Sequence, residues 1–94
     1  MTIAYRTEIS VNATSIETFL WNVQRELMQR HGVDAAAREI SPLRWYVQTG
    51  RASTDFIKAL AHKSPCMVAR RLHNGGSDAE VIQRVKDYIG YKEG

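Results

Sequence analysis

The first twelve residues alternate. Ile3, Tyr5, Ile9 and Val11 share one parity, and Ala4, Arg6, Glu8, Ser10 and Asn12 share the other. This is the period-two pattern of a half-buried β-strand. No convincing second strand follows, so the backbone groups of the first need a partner from elsewhere. The same strand in a second copy is the economical partner, because two-fold dimers are the commonest assemblies. Tyr5 and Ile9 are then expected at a homodimer interface.

Beyond residue 13 the period becomes helical. Thr14 and Glu17 have the spacing of a capping box, and Ile16, Phe19, Leu20, Val23 and Leu27 form one apolar stripe toward His31, where Gly32 stops it. Trp21 and Met28 fall off the centre of that stripe. Either they pack on neighbouring helices or they anchor a partner interface, where Trp is enriched. Asp34 is placed to cap a short helix through Ile40. Ser41-Pro42 and Ser64-Pro65 each set an N-cap residue before a proline at the first helical position. They predict helices to about Gln48, ended by Gly50, and to about His73. Between them Ser53 or Thr54 caps a helix through about Ala61. Asn74-Gly75-Gly76 breaks the chain. A second capping box, Ser77 to Glu80, opens a final helix with Val81, Ile82, Val85, Tyr88 and Ile89 inward and Lys86 outside.

The expected fold is mainly α in a single domain, 1–94. It has a short N-terminal strand over 1–12, helices over 14–50 and a helical pair over 53–90, making a compact bundle of five to six short helices. Ninety-four residues suit one domain with a modest core. At 44% hydrophobic and 24% charged, the composition is that of an ordinary globular chain and excludes disorder over most of the length. No apolar run approaches the ~18 residues of a membrane span. The single Cys66 has no partner for an internal disulfide. With no secretory leader in the sequence, a reducing, cytoplasmic setting is expected.

Charge sharpens this picture. Residues 51–73 carry Arg51, Lys58, Lys63, Arg70 and Arg71 against the single acid Asp55, while the segments on either side are close to balanced. The whole excess of the +3 chain therefore sits in one short helical stretch. Such a concentration is the footprint of a surface that meets a polyanion or an acidic protein.

Within that stretch, Ile57 to Gly75 reads IKALAHKSPCMVARRLHNG. It resembles the helix-turn-helix of bacterial and phage repressors, especially the lactose-repressor type, in which Ser-Pro opens a second helix reading Val-Ser-Arg-x-Leu-Asn-Gly. Leu60 and Ala61 sit at family-like positions of the first helix, and Val68, Arg70 and Leu72 keep the register of the second. The resemblance spans residues 54–91. The chain departs from the pattern at His62, which stands at the turn glycine, at Lys58, where the helices cross, and at Lys63 and Arg71, which are usually apolar. The resemblance implies double-stranded DNA as partner and transcription regulation as function. On the second helix, Cys66, Arg70 and His73 are expected to face outward, with Met67 and Arg71 at the flanks. Arg70 is placed to read guanine, while Lys58, Lys63, Arg71 and the Ser64 hydroxyl would hold phosphates.

A looser likeness runs through the other end. Strand, long helix, Gly-Val and a further helix resemble ribbon-helix-helix repressors, with Arg6, Glu8 and Ser10 outward, although Pro42 interrupts the second helix. Enzyme patterns are weak. Cys66 with His62 or His73 has no third orienting group for a nucleophile triad and lacks zinc-motif spacing. No catalytic residue, cofactor or metal site is expected. The sequence thus reads as a small non-enzymatic DNA-binding regulator, of a size that suits a phage or plasmid accessory gene. The alternative is a small protein-binding inhibitor or adaptor, for example an anti-CRISPR-like anti-defence protein. Off-stripe Trp21, Met28 and Trp45 favour that alternative.

Overall fold

The computed structural model describes residues 11–91, with side chains from Ile16 onward. Five α-helices occupy these residues: α1 (Val11–His31), α2 (Val33–Gln48), α3 (Thr54–Ala61), α4 (Pro65–Leu72) and α5 (Asp78–Ile89). The strand expected over residues 1–12, and Tyr5 and Ile9 with it, lies outside the described residues except at its end. There Val11 and Asn12 are already helical, which corrects the expected boundary.

The α1 stripe is buried as its spacing dictates, with Leu20, Val23 and Leu27 fully enclosed. Thr14 does not open this helix, because three residues before it are helical. Glu17, the carboxylate that a capping box would turn back on Thr14, instead reaches Arg44 of α2 at 3.5 Å. Arg30 and His31 close α1, where cations suit the negative end of the helix dipole. Gly32, at φ 92°, takes the left-handed turn that a side chain resists and folds α2 back against α1.

The expected break at Ser41-Pro42 is absent: α2 is one continuous helix with Pro42 inside it. Ala36, Ile40 and Leu43, at i, i+4 and i+7, are all buried, so hydrophobic burial holds one helical register on both sides of the proline. The Ser41 hydroxyl is not a cap and donates to the carbonyl of Ala37 at 2.6 Å. Asp34 lies in the first turn of α2 rather than capping it.

The remaining starts follow the sequence. The Ser53 hydroxyl accepts from the Phe56 N–H at 3.0 Å to cap α3. Pro65 opens α4, although the Ser64 side chain makes no cap bond. Both halves of the second capping box form: the Ser77 N–H donates to Glu80 at 2.9 Å, and the Glu80 N–H donates to the Ser77 hydroxyl at 3.2 Å. Phe56 lies at the centre of the core, fully buried and edge-on to Tyr46 and Tyr91. On α5 the expected inward set is buried, with Tyr88 half-buried, but Lys86 is buried too, only 9% exposed. Its ammonium sits 5.2 Å from the Tyr46 ring centre, so a long side chain that ends in a charge is here largely enclosed. Among the described residues, no helix is long and apolar enough to cross a membrane.

Candidate nucleic-acid interface

The basic stretch folds into α3, a tight turn and α4. The apolar stripe of α3, Phe56 and Leu60, would next call for an inward side chain at position 63. Lys63 stands there, and the helix ends before it. The turn needs no left-handed residue. His62, where the resembled family has glycine, sits at φ −89°, ψ −3°, and the Lys63 N–H returns to the Leu60 carbonyl at 2.9 Å. The left-handed position comes later, at Asn74 (φ 61°), a residue type that tolerates it.

Three buried residues, Val68, Ala69 and Leu72, fix the rotation of α4, which packs on α1 and α5. That rotation corrects the outward face expected from the sequence. Cys66 and His73 turn sideways toward α1 and α2. Arg30 Nη2 donates to Cys66 Sγ at 2.9 Å. His73 lies flat on His31, ring centres 3.6 Å apart, and its Nδ1 is 2.6 Å from Glu39 Oε2. Both side chains are occupied by the protein itself because α1 is long enough to lay its last turn beside α4. The sequence distance between Glu39 and His73 hides this contact. The outward ridge of α4 is instead Met67 and Arg70, of which Arg70 is exposed and Met67 half-buried.

On the other flank the geometry gathers charge. Arg71 Cζ lies 4.7 Å and Lys63 Nζ 5.9 Å from the centre of the Tyr88 ring. Arg84 donates from Nε and Nη2 to the Arg71 carbonyl at 3.0 and 2.8 Å, satisfying an acceptor at the end of α4. Asp87 lines the same shallow hollow and accepts from Gln83 at 3.0 Å. Among the described residues, none of Lys58, Lys63, Arg70, Arg71 or Arg84 is in an ion pair, whereas Arg30 and Arg44 are paired with Glu26 and Glu17. Lys58 and Ser64 are exposed at the hairpin. Lys63, Ser64, Met67, Arg70 and Arg71 therefore border one surface, to which the structure adds Arg84 and Tyr88. The signal for those two lay in α5, where Arg84 and Tyr88 are i and i+4 on a flank that the apolar stripe leaves open.

Trp21 and Trp45 are about half exposed, at 49% and 46%, while Met28 packs partly against the core. No three of the described His, Cys, Asp or Glu side chains are grouped to hold a metal ion. No protein-family model matches the chain, and no curated protein or solved structure matches it.

Proposed function

We propose that the protein is a non-enzymatic regulator that binds double-stranded DNA through the ridge of α4 and the cations on its α5 side. The observation that carries this reading is the convergence of Lys63, Arg71 and Arg84 around Tyr88, beside exposed Arg70, with none of the four cations ion-paired. Cations held outside ion pairs at this density bind phosphates by displacing condensed counterions. Arg70 is the base-reading candidate, its guanidinium matching the two acceptors of guanine. Lys63, Arg71 and the Ser64 hydroxyl hold the backbone and set register. Cys66 and His73 take no part, since α1 and α2 engage them.

The test is fluorescence anisotropy with a selected duplex and a random one. Arg70→Ala should cost roughly 1–3 kcal/mol on the selected site and less on random duplex. Lys63→Ala should weaken both and lower the salt slope by about one. Cys66→Ala should change neither. Equal behaviour of Arg70→Ala and Cys66→Ala would remove the ridge from the proposal.

The half-exposed rings of Trp21 and Trp45 favour a second reading, a protein-binding inhibitor or adaptor. In that case Trp21→Ala costs ~2 kcal/mol or more toward the partner, and the ridge variants have no DNA phenotype.

A further inference from the structure

We infer that Met67 reads the C5-methyl group of a pyrimidine in the major groove, on a base pair neighbouring the guanine that Arg70 addresses. The inference rests on the DNA reading above and gives a partner to the ridge residue that carries no charge. Val68, Ala69 and Leu72 hold the inner side of α4 in the core, and helical spacing puts positions 67 and 70 farthest from them. Cys66 meets Arg30 at 2.9 Å on one flank, and Arg71 lies 4.7 Å from the Tyr88 ring centre on the other. What remains outward on α4 is one apolar side chain and one guanidinium. Met67 is half-buried, yet it belongs neither to the buried core nor to the partly buried apolar side chains packed against that core. Its apolar surface is therefore left for a partner.

The chemistry of the groove selects the methyl. Residues i and i+3 of a helix lie about 5–6 Å apart, and successive base pairs about 3.4 Å. Met67 and Arg70 thus fall on neighbouring pairs. The major-groove edges offer donors, acceptors and, on thymine, a methyl group. Met67 has no donor, and its sulfur is only a weak acceptor. Laid on an amino or carbonyl group, it would displace water and return no hydrogen bond. Laid on the methyl, it covers apolar surface on both partners, and its unbranched stem adapts to the groove floor. 5-Methylcytosine carries the same methyl at the same place, so the class recognised is a C5-methylated pyrimidine.

The test starts from the duplex that the wild-type chain binds best, measured by fluorescence anisotropy. Each thymine in turn is replaced by deoxyuridine, which removes the methyl and keeps every hydrogen-bonding group. One replacement, beside a guanine whose recognition is lost in Arg70→Ala, should weaken binding about fourfold, the worth of one buried methyl. Met67→Ala and Met67→Gln should melt close to wild type and be indifferent to that replacement, whereas Arg70→Ala should still respond to it. Cytosine placed at the same position should gain about fourfold when methylated at C5. Wild-type affinity that neither deoxyuridine nor C5-methylation changes, or folded Met67 variants that keep the full methyl response, would overturn the inference and leave duplex binding standing. A folded wild-type chain that binds no duplex would overturn the DNA reading and this inference together.

Discussion

Glu80 shows how far a single residue can be read from the chain. The backbone N–H of Ser77, then its hydroxyl, hold the carboxyl below the ordinary glutamate value, against an opposing desolvation and with a smaller lowering from Arg84. A carboxyl lowered on folding contributes stability above its unfolded value and loses that contribution as pH falls through the folded one. Glu80→Gln keeps an acceptor for the Ser77 N–H but does not titrate. Its melting temperature should lie below wild type at pH 7, with the gap closing as pH drops below the usual carboxylate range. A gap that stays constant down to pH 3 would contradict this role. Val85 and Lys86 make a second pair. Val85→Asp buries an unpaired carboxylate at a cost of several kcal/mol, comparable to the whole stability of so small a domain, and should leave the chain unfolded by circular dichroism. Lys86→Ala should lose about 1 kcal/mol in urea denaturation, through the buried stem. The outward position that periodicity gave Lys86 missed this, because the covering ring, Tyr46, comes from another helix.

At the scale of elements, one dipeptide behaves in two ways. Ser64-Pro65 starts a helix, and Ser41-Pro42 is carried through one. The distinction was available in the flanking pattern: Ala36, Ile40 and Leu43 continue one stripe across the proline, whereas the stripe of α3 runs into Lys63. Inside α2, Pro42 lacks the N–H that would bond the Arg38 carbonyl, so Pro42→Ala should stabilise the protein by about 1–3 kcal/mol. A helix boundary at residue 41 would instead make that change neutral or destabilising in thermal melts. Capping boxes were similarly split. Ser77–Glu80 is real because Asn74-Gly75-Gly76 has already broken the chain, while Thr14–Glu17 follows residues that continue the helix. The apolar stripes of α1 and α5 were legible because each is local. The rotation of α4 was not, since it depends on where α1 lays Arg30 and His31 after the chain has folded back twice.

For the whole molecule, composition located the charge and tertiary packing decided which charges are presented together. Lys63, Arg70 and Arg71 were legible as a cluster; Arg84 and Tyr88 joined them only through the packing of α4 on α5. The sequence expectation of a strand-paired homodimer belongs to residues 1–12 and has a direct check. Sedimentation at micromolar concentration should give about twice the 10.7 kDa chain mass, and Ile9→Pro should lower it, because proline removes a ladder donor. A monomer at that concentration would exclude the strand-paired dimer without touching the α4 ridge. The central claim is that the ridge presents unpaired cations to DNA phosphates. The most direct measurement is the affinity of the wild-type chain for a random duplex across a range of salt concentrations. The account predicts binding whose logarithm falls linearly with log salt at a slope of roughly −2.7 to −3.6, the value for three or four phosphates neutralised among Lys63, Arg70, Arg71 and Arg84. A folded protein that shows no duplex binding above background at low salt, or a slope near zero, would contradict it.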